Sequence, residues 1–92
     1  MMNHYALFAN LQDRPCLVVG AGEVGARKAR QLVESGAAVT IVALEVGSEA
    51  SDMASRGELK VEQRAFEDTD VDGAMLVIAA TSDDALNQRI FD

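Results

Sequence analysis

Hydrophobic residues are concentrated in three runs that are separated by mixed and polar segments. The runs are Cys16–Gly20 (CLVVG), Ala38–Leu44 (AVTIVAL) and Ala74–Ala80 (AMLVIAA). Apolar runs of this length are typical of strands in a parallel sheet, because such a sheet is covered on both faces. The pattern therefore predicts three buried strands.

Between the first and second runs, the apolar positions recur at helical spacing. This spacing predicts an amphipathic helix over Val24–Ser35, and Gly36 is a typical residue to end it. The apolar positions of the predicted helix are Val24, Ala29, Leu32 and Val33.

The remaining pattern predicts shorter elements. Ser48 is a candidate cap for a short helix that ends at Gly57. Residues Leu59–Phe66 alternate between apolar and polar types, which favours a strand at a sheet edge. Tyr5–Leu11 is predicted to form a short strand or an extended arm. A last helix is predicted after the third apolar run, with three candidate caps before it: Thr81, Ser82 and Asp83.

The alternation of strands and helices indicates an α/β protein, since parallel strands need helical crossovers between them. The expected architecture is a Rossmann-type three-layer fold with a mostly parallel sheet. The chain has 92 residues and no repeat, linker or low-complexity tract. We therefore expect residues 1–92 to form one domain.

Composition and charge exclude several classes of function. The formal net charge is −7, so most of the surface would repel a nucleic-acid backbone. Cys16 is the only cysteine, which excludes an internal disulfide, and its place in an apolar run favours a buried thiol. Cys16 and His4 do not have the spacing of metal ligands, and the sequence contains no serine–histidine–carboxylate arrangement. No metal ligand or catalytic residue is therefore assigned. Without a membrane-spanning run or a signal peptide, the expected location is the cytoplasm.

The segment GAGEVG directly follows the first predicted strand and opens the first predicted helix. This context is the one that a dinucleotide-binding fingerprint requires. Gly20 would allow a sharp turn, Gly22 would let a pyrophosphate approach the backbone, and Gly25 would let the helix pack closely on the strand. The helix N-terminus would supply N–H groups and partial positive charge to the phosphates. The alternative is a glycine-rich turn that binds nothing.

Two further places bear on this site. A ribose-binding acid is expected about 20 residues beyond the glycines, at the end of the second strand, but Ala43 occupies that position. Glu45 comes two residues later and would reach the ribose only if the loop curls back. No arginine is nearby in sequence, so these residues do not indicate a preference between NAD and NADP. Ala80, Thr81 and Ser82 follow the last predicted strand and would face the ligand across the point where the strand order reverses. The alternative is that these residues only cap the last helix.

The segments LFANLQDRPCLVVGAGEVGARKARQLVESGAAVTIVA and LKVEQRAFEDTDVDGAMLVIAATSDDALNQRI closely resemble the N-terminal module of siroheme synthase. That family is the precorrin-2 dehydrogenase and sirohydrochlorin ferrochelatase family, and the resemblance covers nearly the whole chain. It implies an NAD(P)-binding Rossmann domain, with NAD as the hydride acceptor when precorrin-2 is oxidised to sirohydrochlorin. It also implies that ferrous iron is then inserted to give siroheme, and that the full-length enzyme is a homodimer.

By this resemblance the cofactor contacts fall on Gly22, Glu23 and Val24, on Leu44 and Glu45, and around Ala80 and Thr81. Ala43 to Glu45 would then hold the adenosine end through backbone and apolar contacts, and Glu23 would point outward. The complete set of predicted cofactor-binding residues is Gly20, Ala21, Gly22, Glu23, Val24, Gly25, Ala43, Leu44, Glu45, Ala80 and Thr81.

The sequence departs from the family's pattern at its end. The family's proposed catalytic aspartate and its dimer and tetrapyrrole segments lie beyond the position of Asp92, which itself is predicted to lie in a helix. We therefore expect a truncated domain that binds NAD but has no turnover alone. Two other readings stay open: a nucleotide-sensing regulatory module, against which Ala43 counts, and a methyltransferase that binds S-adenosylmethionine, for which Gly25 fits less well.

Overall fold

A computed structural model describes residues 11–91. It contains a four-stranded sheet with the spatial order β3-β2-β1-β4, and every strand pair is parallel. The elements in chain order are β1 (Pro15–Ala21), α1 (Glu23–Glu34), β2 (Ala38–Val46), α2 (Ser48–Ser55), β3 (Lys60–Gln63), a 3₁₀ helix (Asp68–Val71), β4 (Leu76–Ala79) and α3 (Asp84–Phe91). The predicted α/β Rossmann-type fold is therefore confirmed.

Two hydrophobic clusters cover the two faces of the sheet. Cys16 and Val18 of β1 and Ile41 of β2 pack with buried residues of α1 and α2. Leu17 and Val19, which alternate with them along β1, pack on the opposite face against residues of the 3₁₀ helix and α3. Because successive strand residues point to opposite faces, one apolar run fills both clusters. The result is the expected three layers.

The order of the strands creates a switch point. From β1 the chain runs through α1 to β2 and then to β3 on one side, and it returns to place β4 on the other side of β1. The loops that follow β1 and β4 therefore diverge at the carboxyl edge of the sheet. Ligands of open α/β sheets bind in the crevice that such a divergence leaves.

Some predicted details are wrong. β4 is only half-buried, because it is an edge strand of this sheet rather than an interior one. Gly47, and not Ser48, is the residue before α2, and β3 is shorter than the alternating pattern suggested. The helical spacing predicts that Val24 lies on the apolar face of α1, but Val24 is 53% exposed. The edge position of β3 and the end of α1 before Gly36, at φ +86°, are as predicted.

Cys16 is buried, as predicted, and burial raises the pKa of its thiol. His4 and all but the last residue of the predicted Tyr5–Leu11 arm lie outside the described residues. Within residues 11–91, none of the helices has the length and apolar character needed to cross a bilayer.

Candidate functional site

An open cleft of about 1230 Å³ lies along the carboxyl ends of the strands. Four segments line it: the loop after β1, the end of β2, the chain after β3, and the loop between β4 and α3. All of the predicted cofactor-binding residues except Gly25 are among the lining residues. The structure therefore brings together groups that lie far apart in the sequence.

Gly20 and Gly25 allow three elements to approach closely below the cleft. A Cβ atom on Gly20 would lie 2.5 Å from the carbonyl oxygen of Ala80, and the φ of Gly20 is +116°, which other residues rarely adopt. A Cβ atom on Gly25 would overlap the carbonyl oxygen of Gly20. Gly25 therefore does not line the cleft. It holds α1 against the end of β1, as its position in the fingerprint predicts.

Gly22 has a different role. It is the residue before α1, and a Cβ atom there would meet nothing within 4 Å. No side chain among residues 11–91 caps the first turn of α1. The free N–H groups of that turn and the empty volume over Gly22 match what a phosphate group requires. Glu23 is exposed at the rim, as predicted, and suits the helix dipole.

The end of β2 differs from the prediction. Val19 pairs with Val42, but the next pair joins Ala21 to Val46, so β2 contains extra residues at this point. This irregularity extends β2 to Val46, beyond the predicted end at Leu44. Ala43 is therefore not the strand end, and Glu45 lies within the strand and lines the cleft without any loop curling back. Glu45 and Leu44 are both exposed.

Arg64 lies next to the end of β2 and lines the cleft, although the sequence suggested no arginine here. Its N–H donates to the carbonyl of Ala43 at 3.0 Å, which fixes the chain after β3 against β2. Its guanidinium donates two hydrogen bonds to Asp70, at 2.7 and 2.9 Å, and one to Glu62 at 3.0 Å. Asp70 also accepts a hydrogen bond from the N–H of Glu67. We call Glu62, Arg64, Glu67 and Asp70 the Arg64 cluster.

Replacing Asp70 with asparagine is expected to lower the melting temperature at pH 7 by about 5 °C, since a partly buried ion pair at the surface contributes modestly. The hydrogen bonds from Arg64 hold the pKa of Asp70 below its ordinary value. The stability supplied by this carboxylate is therefore complete above about pH 4 and is lost as the pH falls through the lowered pKa. The difference between wild type and Asp70→Asn should accordingly shrink in acid.

Thermal melts between pH 2 and 7 test this expectation. Asp68→Asn is the matched control, because Asp68 is in the same segment and bonds Arg89 with an 83% exposed side chain. The control should melt close to wild type at every pH. If the melting temperature of Asp70→Asn lies below that of wild type by the same amount at every pH, the stabilising role of the Asp70 carboxylate is contradicted.

A second arginine that the sequence did not indicate closes the same side of the cleft. Arg89 of α3 lies over the ring of Phe66, with 5.2 Å between its guanidinium carbon and the ring centroid. It also donates to the carbonyl of Phe66 and to Asp68, both at 3.1 Å. These contacts join α3 to the chain after β3.

The loop after β4 is held by its own polar groups. Asp83 caps α3, because its carboxylate accepts a hydrogen bond from the N–H of Leu86 at 3.1 Å. The hydroxyl oxygen of Thr81 accepts the N–H of Asp83, also at 3.1 Å. Ala80, Thr81 and Ser82 all line the cleft, as predicted.

The cleft thus has open volume at Gly22 in its centre and a wall on either side. One wall is formed by the end of β2 and the chain after β3, and the other by the loop after β4. This arrangement suits a ligand with two halves joined by a diphosphate. Among residues 11–91, no group of three or more histidine, cysteine or acidic side chains is placed to hold a metal ion.

A family described as "Putative NAD(P)-binding" matches residues 7–92 of the sequence. The chain belongs to this NAD(P)-binding family. The match includes every segment that lines the cleft, and it agrees with the open volume over Gly22.

This NAD(P)-binding chain is similar to curated proteins named siroheme synthase. It is 46% identical to siroheme synthase from Citrobacter koseri over 97% of its own length, and 45% identical to siroheme synthase from Salmonella heidelberg over 99%. The chain spans 20% of the length of each of these relatives. A solved structure of SirC, precorrin-2 dehydrogenase, superimposes with a TM-score of 0.85 and 30% identity, over 89% of this chain and 41% of that one.

Proposed function

We propose that residues 1–92 form one NAD-binding unit and that the cleft holds the dinucleotide across the switch point. The observation that carries the proposal is the open volume at Gly22, over the uncapped first turn of α1. The pyrophosphate would lie there, against the backbone of Gly20, Ala21, Gly22, Glu23 and Val24, with Gly25 below. When bound, NAD supplies a hydride acceptor.

The two halves of the dinucleotide would lie on opposite sides of this centre. The adenosine half belongs at the end of β2, where Ala43 and Leu44 form the wall and Glu45 accepts the ribose hydroxyls. A 2′-phosphate would meet the charge of Glu45, while the Arg64 guanidinium is engaged by Asp70 and Glu62. NAD is therefore favoured over NADP. The nicotinamide half belongs beside Ala80 and Thr81.

We further propose that the unit serves a siroheme-pathway enzyme. Similarity to siroheme synthases over nearly the whole chain, and to the precorrin-2 dehydrogenase structure, supports oxidation of precorrin-2 to sirohydrochlorin. Insertion of ferrous iron into sirohydrochlorin, assembly as a homodimer and a cytoplasmic location belong to the same proposal. The tetrapyrrole and the iron are substrates of that enzyme.

Titration calorimetry of the chain with NADH, NADPH and S-adenosylmethionine tests the cofactor. We expect NADH to bind at least about tenfold more tightly than NADPH, because like charges at Glu45 disfavour the extra phosphate. Binding of S-adenosylmethionine alone would favour the methyltransferase reading. No heat from NADH at millimolar concentration would refute the proposed site.

A nucleotide-sensing module stays the second candidate, because Glu45, next to the end of β2, supplies the acid that Ala43 does not. An assay of the gene's full product with precorrin-2 and NAD separates the two functions. Formation of sirohydrochlorin supports the enzyme. Tight NAD binding without any oxidation would favour the sensing module instead.

A further inference from the structure

The side-chain amide of Asn87 in α3 bonds to every polar group of Thr81. Its Nδ2 donates to the Thr81 carbonyl at 3.0 Å. Its Oδ1 accepts from the Thr81 N–H at 3.3 Å and from the Thr81 hydroxyl at 2.7 Å. One half-buried side chain therefore fixes both the backbone and the rotamer of the first residue after the β4 end.

Asn87 is not among the cleft-lining residues, whereas Thr81 and its neighbours Ala80 and Ser82 are. The hydrogen bonds of Asn87 to Thr81 therefore link it to the cleft through this loop. The loop also packs closely on Gly20, because the carbonyl oxygen of Ala80 lies 2.5 Å from the place that a Cβ atom on Gly20 would occupy. The loop thus contacts Gly20 through Ala80 and Asn87 through Thr81.

We propose that Asn87 is a positioning residue for the nicotinamide half of the bound dinucleotide. The inference rests on the proposed function, and it follows from the order of the strands. The ribose-recognition position at the end of β2 places the adenosine half on the β2 side of β1. β4 pairs with the opposite side of β1, so the loop that Asn87 fixes faces the other nucleotide.

The test compares NADH, which has both halves, with ADP, which has only the adenosine and the diphosphate. Both are titrated by calorimetry into the chain and into Asn87→Ala. We expect Asn87→Ala to weaken NADH binding about tenfold and to leave ADP within about twofold of wild type, because three hydrogen bonds to one loop are lost. A general loss of folding would weaken both ligands together.

Two further variants separate positioning from stability. Asn87→Asp keeps the acceptor for the Thr81 N–H and hydroxyl but loses the donor to the carbonyl, so we expect a smaller loss of NADH affinity, about threefold. It also carries the test if Asn87→Ala does not fold. Ile90→Ala is the matched control, because Ile90 packs α3 on the hydrophobic cluster of Leu17 and Val19 and its side chain cannot hydrogen-bond to Thr81. This variant should not separate NADH from ADP.

Equal losses for NADH and ADP in the Asn87 variants would show a structural role only and would overturn the inference. Unchanged NADH affinity would overturn it as well. If the wild-type chain binds ADP and NADH with equal affinity, the nicotinamide half makes no contact at this loop, and the inference also fails. Failure of the wild-type chain to bind either ligand would instead refute the proposed function.

Discussion

Replacing Gly22 with aspartate is expected to weaken NADH binding at least about a hundredfold while the protein stays as stable as wild type. A side chain at this position would enter open volume, so the fold can accept it. Gly22 has φ −81° and ψ −160°, which every residue type adopts readily, and aspartate is a better residue than glycine before a helix. The same carboxylate would occupy the phosphate position and repel its charge.

Calorimetry with NADH and thermal melts measure the two halves of this prediction. Ser51→Asp is the matched control, because Ser51 is exposed on α2, outside the cleft lining, and the variant adds the same charge. It should bind NADH as wild type does. Wild-type affinity in Gly22→Asp would show that the diphosphate does not lie at α1.

Replacing Gly25 with alanine is expected to destabilise the protein by about 2–4 kcal/mol, which for a domain of this size lowers the melting temperature by about 10–25 °C. The new methyl group would overlap the carbonyl oxygen of Gly20, which is backbone and has no rotamer to change. Helix propensity alone predicts the opposite sign, because alanine is favoured over glycine inside a helix by about 1 kcal/mol. The sign of the change therefore tests the close packing directly.

Urea unfolding at pH 7 is the suitable measurement. Arg27→Ala is the control on the same helix, since Arg27 is exposed and its replacement should change stability by no more than about 0.5 kcal/mol. A Gly25→Ala protein that is more stable than wild type would mean that α1 does not pack on β1 as described.

The sequence could predict those parts of the site that depend on residues close to one another along the chain. The glycines act within one strand–turn–helix unit, so the places of Gly20, Gly22 and Gly25 were readable from their spacing. The end of β2 could not be predicted in this way, because the length of β2 depends on the irregular pairing of its Val46 with Ala21 of β1. Glu45 was consequently placed in a loop.

The side of the cleft that contains Arg64 and Arg89 could not be predicted for a similar reason. Arg64 and Arg89 reach the site only through the order of the strands and the packing of α3, and neither residue carries a recognisable motif. Asn87 had an ordinary helical context in the sequence. Its partner Thr81 is six residues away. The turn between them contains the hydrogen bond from the N–H of Leu86 to the carboxylate of Asp83.

The Arg64 cluster should also affect how quickly a ligand binds. Arg64 and Asp70 are only six positions apart, so the chain between them closes on itself through local contacts that need no ligand. A wall that is ordered in advance spares the ligand the entropy of ordering a loop. Association on the adenosine side should therefore be limited by diffusion and charge rather than by rearrangement of the protein.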